Sequence, residues 1–180
     1  AVITVYPILF EVYLSFTTYS LKNLRGKAPD WIWFRNYQRI IQNELPITNF
    51  DFWRILAFNF TWTIANVVLH VIIGIAIAML LNKRRIIGRR FFRAIYVIPW
   101  AMPPLVVATV WRNMFDTQFG AINLTLKSIG LPHTIDWLGS TTPPIPGVGF
   151  LPLSFFAVLI TNVWLGWPFM MVVATGALQS

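Results

Sequence analysis

Residues able to do chemistry are few in this chain, and they do not cluster. It has two histidines, six acids and no cysteine in 180 residues. Without Cys there is no thiolate ligand, no Cys nucleophile and no disulfide framework. No HExxH, GxSxG or Gly-rich phosphate loop occurs, and no carboxylates group together. Metal-assisted hydrolysis, a buried triad and nucleotide hydrolysis all lack parts, so no catalytic, cofactor-binding or metal-ligating residue is assigned. The informative polar and aromatic groups stand instead inside apolar runs, AIYVIPWAMPPLVVATVW (94–111) and SFFAVLITNVWLGWPFMMVVATGAL (154–178). Trp100, Trp164 and Trp167 each offer a flat apolar face with one N–H donor, and Asn162 offers both a donor and an acceptor. Flat faces against C–H-rich surfaces, with amides reading hydroxyls, suit a carbohydrate and equally suit other neutral polar solutes.

The same runs contain helix breakers. Pro99, Pro103 and Pro104 each remove a backbone donor, and each ring clashes with the preceding turn. They predict a kink or opening early in the 94–111 run. Asn162, Gly166 and Pro168 predict a similar interruption in the second run. Freed carbonyls in hydrocarbon are costly unless they face protein or a water-filled cavity, and interrupted spans recur at transporter substrate sites. The plainer reading, a proline kink that only improves packing, stays open beside it.

These runs require a particular solvent. Apolar residues make up 57% of the chain, aromatics 16% and charged residues only 11%, where a soluble domain carries about a quarter charged. Mean hydropathy is +0.64. One domain's length of chain cannot hide that much apolar surface from water, which argues against a soluble enzyme, a disordered tail or a nucleic-acid binder. Stretches 1–21, 55–81, 94–115 and 151–178 are each predominantly apolar, and about 20 such residues span a bilayer. The predicted fold is therefore all-α, a polytopic helical membrane protein with four spans. The first stretch lacks the basic start and small-residue cleavage site of a signal peptide, and carries Pro7 and Glu11.

Orientation follows from the connections. The loop 82–93 (NKRRIIGRRFFR) holds six basic residues and no acid. Segments 22–54 and 116–150 hold sparser basic residues diluted by acids, so basic density places 82–93 in the cytoplasm and the other two segments outside. Segment 22–54 predicts a short amphipathic helix around NYQRII. Segment 116–150 predicts a short helix near 121–129 and then the rigid TTPPIPGVG. Trp53, Trp62, Trp111 and Trp137 suit an interfacial aromatic belt. Within the second span, Gly74 and Ala78 form a small-xxx-small pair suited to close helix contact. Asn59 and Asn66 read as glue between helices, and His70 as an imidazole hydrogen-bonded to another helix rather than a ligand.

Several motifs in order match one family. YPILFEVYLSFTTYSL (6–21), NYQRII (36–41), GRRFFRAIYVIPWAMPP (88–104), VWRNMFDTQFGAINLTLKSIGL (110–131) and NVWLGWPFMMVVATGALQS (162–180) run through nearly the whole chain. Together they resemble the membrane-spanning permease subunits of binding-protein-dependent ABC sugar importers. Within that family the resemblance is to the larger permease subunit of maltose/maltodextrin-type systems. It implies a bacterial or archaeal inner-membrane protein with a six-helix core, of which four helices are present. A second permease subunit, two ATPase subunits that bind ATP and Mg, and an extracytoplasmic sugar-binding protein are its implied partners. The sugar contacts it implies fall on Trp100 and Pro104 in one segment and on Asn162, Gly166 and Phe169 in the other. Trp100 keeps a stacking face where the family often has Tyr, whereas Pro104 can donate nothing where a hydroxyl residue can occur. The family continues past GALQS into a cytoplasmic loop with an EAA-type motif and two more spans, so the resemblance implies a fragment. Segment 22–54 is short, as in members without a large extra outer domain.

The expected function is passage of a disaccharide or oligosaccharide, with ATP hydrolysed on a separate subunit. Trehalose or another polar cargo is an alternative. A phosphate ester is disfavoured because no Lys or Arg lies near Trp100 or Asn162 in the sequence. A membrane enzyme or scaffold without transport is the third reading, and the missing catalytic parts weigh against it.

Overall fold

Proline placement and apolar runs set where the helices begin and end. The computed structural model describes residues 2–26, 28–83, 86–145 and 149–178. Arg84 and Arg85 of the basic loop, and Pro146 to Val148 of the proline-rich stretch, lie outside the described residues. Among the described residues there are seven α-helices and no strand beyond one isolated bridge. The chain divides into two units, 1–57 and 58–180.

In the first unit, α1 (Val2–Ser15) is an apolar helix of 14 residues with Pro7 inside. The apolar run continues to Leu21, but the helix stops at Ser15. There the Thr17 hydroxyl donates to the Leu14 carbonyl at 2.9 Å, and Thr17 bridges Trp31. Phe16 leaves the helix to stack on Trp31, with ring centroids 5.6 Å apart, and to meet Phe34 edge-on at 5.4 Å. The short helix expected around NYQRII is α2 (Arg35–Ile41). Its Asn36 amide donates to the Ser15 and Thr17 carbonyls at 2.9 and 3.0 Å, tying α2 to the end of α1.

A long helix, α3 (Phe52–Asn82), begins in the first unit and runs into the second. The Asp51 carboxylate caps its start, accepting from the Trp53 and Arg54 amides at 3.0 and 3.1 Å. After the basic loop come α4 (Arg89–Ala101) and α5 (Pro104–Met114), then α6 (Ala121–Ser128) and α7 (Leu153–Ala177). The helices α3 and α7 are each long and apolar enough to cross a membrane, and α4 with α5 form a third candidate if they make one span.

The proline prediction holds in one place and fails in the other. Between α4 and α5 the axis turns by 91°. Met102 stands before Pro103 at φ −74, ψ 140, and Pro103 stands before Pro104 at φ −58, ψ 130. Pre-proline crowding disfavours helix at both positions, and here at two consecutive residues. By contrast α7 runs from Leu153 to Ala177 as one helix with Pro168 inside it, so the expected interruption there does not occur. A single proline costs about 3 kcal/mol, and the packing on both sides of Pro168 outweighs that cost.

That packing comes from α3 and α4. Leu151, Phe155 and Leu159 form one buried cluster with Phe58, Trp62, Ala65 and Leu69. Ala78, Leu81 and Met171 form another with Tyr96, Val97 and Trp167. Between the clusters Gly74 lets the backbones meet, for a Cβ there would stand 2.8 Å from the Met171 nitrogen. Gly74 and Ala78 therefore make the close contact expected of small residues. Asn66 differs from expectation: its amide donates to the Trp62 carbonyl of its own helix at 2.8 Å. An i−4 carbonyl is the nearest acceptor to a helix-interior side chain, while the Asn66 Oδ1 is buried without a partner among the described residues.

Contacts at Phe58–Phe155 at one end and Gly74–Met170 at the other mean that α3 and α7 run in the same direction. The chain between them must return from the end of α3 to the start of α7. The broken pair provides that return: Tyr96 of α4 lies by Trp167, and Trp111 of α5 lies by Trp164.

Candidate functional site

The seam between the broken pair and α7 is aromatic. Tyr96 meets Trp167 at 5.5 Å between ring centroids, Trp100 meets Phe169 at 5.8 Å, and Trp111 meets Trp164 at 5.7 Å. The first and last pairs are edge-on, at 67° and 66°, and the middle pair is tilted by 40°. Edge-to-face and tilted rings at these separations attract through their quadrupoles. Trp100 stands next to the break and keeps 54% of its surface exposed, and Phe169 keeps 45%. Their rings thus hold one another while about half of each residue stays exposed.

The five residues implied by resemblance fall into three places. Trp100 and Phe169 are brought together as a ring pair. Asn162 and Gly166 are brought together on α7 against His70 of α3: the His70 Nε2 lies 3.1 Å from the Asn162 carbonyl oxygen, and the imidazole covers the Gly166 Cα. Pro104 is the first residue of α5, exposed just beyond the bend, with its missing N–H at a position where helices need no donor. His70 is hydrogen-bonded to another helix, as its setting among apolar neighbours suggested. Tyr96 and Trp111 were not foreseen as partners of the α7 tryptophans. Trp111 read as a belt residue, and pairing across a bent helix has no signature in sequence spacing.

A groove of about 350 Å³ runs beside the seam, lined by Leu69 and Ile73 of α3 and by Phe156, Ile160, Trp164 and Trp167 of α7, among others. Its walls are apolar, and Trp164 and Trp167 are the lining residues whose side chains carry a donor. No group of three His, Asp or Glu side chains that could hold a metal stands together among the described residues.

A polar knot forms where α5 gives way to α6. Asn123 is 2% exposed. Its amide donates to the Thr117 and Ile135 carbonyls at 3.0 and 2.9 Å, and its oxygen accepts from the Trp137 indole at 2.9 Å. Gly120 is required beside it, because a Cβ would stand 2.6 Å from the Met114 carbonyl oxygen. The Asp116 carboxylate accepts from the Phe119 amide at 2.8 Å and the Gln118 amide at 3.0 Å. These backbone donors hold its pKa below the ordinary 3.8.

Comparison with known proteins bears on all of this. No family model matches the chain. The galactooligosaccharides transport system permease protein GanP of Bacillus subtilis is 33% identical over 98% of the chain. The chain is a relative of sugar ABC transporter permeases. The maltodextrin permease MdxF of Bacillus subtilis is 28% identical over 99% of the chain, and the trehalose/maltose permease MalF of Thermococcus litoralis is 31% identical over 83%. The chain spans about 40% of the length of GanP and MdxF and 45% of that of MalF. With the apolar helices α3 and α7, this relationship makes the chain part of a membrane protein.

Proposed function

We propose that the chain is part of a permease subunit of an ATP-driven importer that passes a disaccharide or oligosaccharide of the maltose/maltodextrin type. The protein is not itself an enzyme: ATP and Mg act on two separate ATPase subunits. A second permease subunit completes the pathway, an external binding protein delivers the sugar, and the protein crosses a bacterial or archaeal inner membrane several times. The observation that carries this reading is the half-exposed Trp100–Phe169 pair beside the broken helix. It supplies a flat apolar surface where freed backbone needs a polar lining. Kinship supports the cargo class, since the relatives' names specify galactooligosaccharides, maltodextrin and trehalose/maltose. The last of these keeps trehalose as a second reading of the cargo. The test is Trp100→Ala in the complete importer. Loss of one stacking face worth about 1.4 kcal/mol lowers apparent sugar affinity about tenfold, with the complex still assembled. Unchanged uptake by an assembled variant would remove the assigned role.

A further inference from the structure

His70 lies on the same face of α3 as Asn66 and Gly74, one turn from each. Its Nε2 is 3.1 Å from the Asn162 carbonyl oxygen, which can only accept, so that nitrogen carries the proton. The Cε1 end of the same ring covers Gly166: a Cβ there would stand 2.9 Å from Nδ1 and closer still to Cε1 and Nε2. The imidazole therefore occupies the space that any other residue at 166 would claim. It grips α7 at two successive turns. Just beyond, Pro168 has no N–H, so the Trp164 carbonyl loses its ladder donor and the helix is weakest at that point. Gly74 meets Met170 and Met171 on the far side of this weak point. His70 and Gly74 thus bracket Pro168.

We propose that His70 is a positioning residue of the sugar pathway, a clamp that fixes the direction of the α7 wall at Asn162 and Phe169 across the proline turn. The proposal rests on α7 being that wall. Substituting His70 lets α7 turn or bend at Pro168, which swings Phe169 away from Trp100 and reorients Asn162 without removing any group that touches sugar.

The experiment uses the full-length permease in its complete importer. The probe is whichever of radiolabelled maltotriose and a galactotriose the unaltered importer takes up. His70→Ala is expected to raise the apparent KM about three- to tenfold, the effect of one buried hydrogen bond, with maximal rate and complex yield less affected. His70→Gln keeps an N–H donor and recovers most of the affinity. Gly166→Ala lowers uptake because its methyl meets the ring, and the double variant His70→Ala/Gly166→Ala recovers to the level of His70→Ala alone. Unchanged KM in His70→Ala, or multiplying defects in the double variant, would overturn the clamp. Thermal stability of the assembled complex reads the same coupling without sugar. If Trp100→Ala leaves uptake normal while His70 and Gly166 still couple in stability, the clamp stands as a packing device, and its pathway role falls with the proposed function.

Discussion

Two proline-bearing segments of one chain behave oppositely. The α4–α5 segment turns by 91° at Met102–Pro103, while α7 passes through Pro168 without a break. Each proline deletes one donor and crowds one carbonyl, so proline alone does not decide the outcome. Tandem placement does. Pro103 and Pro104 force two consecutive residues out of helix, whereas Pro168 and Pro99 each stand singly inside continuous helices. Packing is the second difference. Pro168 is fully buried, with the close Gly74 contact at the next residues of α7, whereas Pro103 and Pro104 are exposed. One segment breaks and presents Trp100, and the other stays one helix despite its missing ladder bond and presents Phe169 against it.

The most severe way to break this contrast is to return donors to the bend. Pro103→Ala/Pro104→Ala removes two penalties of about 3 kcal/mol each, and the segment should straighten. Spin labels on residues 95 and 110 would then move apart, and sugar uptake should fall more than tenfold. A preserved bend would show that tertiary packing rather than tandem proline makes the turn. Next in size, Gly74→Leu drives a side chain into the α7 backbone. Overpacking of this kind costs about 1–3 kcal/mol, read as a lowered melting temperature and yield of the complex. Pro168→Ala should do far less: label distances along α7 stay as they are, and uptake remains within about threefold, because the helix is already continuous there.

The smallest effect belongs to Asp116. Its folded pKa is depressed, so its contribution is present above the unfolded value of 3.8 and fades as pH falls through the lower folded value. Amide exchange at Gln118 and Phe119 should therefore accelerate as pH is lowered below 3.8, after correction for intrinsic rates, and Asp116→Asn should flatten that dependence.

Much of this could be read in the residues beforehand. The apolar runs gave α3 and α7, and the triple proline gave the bend. NYQRII gave α2, and residues near 121–129 gave α6. What resisted reading was tertiary. Tandem placement marks Pro103 and Pro104, but nothing local shows that packing carries α7 straight through Pro168. Tyr96 and Trp111 pair with Trp167 and Trp164 only because the bend lets both halves follow α7. Asn66 looked like glue between helices and instead bonds its own carbonyl ladder, a choice that spacing cannot reveal. At the candidate site, types and spacing selected Trp100 and Asn162, and resemblance added Gly166, Phe169 and Pro104. The structure adds that Trp100 faces Phe169, whereas Asn162 and Gly166 share His70.

The central claim is that the Trp100–Phe169 pair faces a watery sugar path. Because this chain contains no cysteine, single cysteines report cleanly once any elsewhere in the importer have been replaced. In the complete importer, Trp100→Cys and Phe169→Cys should react with a membrane-impermeant thiol reagent, and transported sugar should slow both reactions. Ile72→Cys, on an exposed apolar position of α3, serves as the comparison and should stay unreactive with or without sugar. Silent cysteines at 100 and 169, or reaction at both that sugar leaves unchanged, would contradict the account.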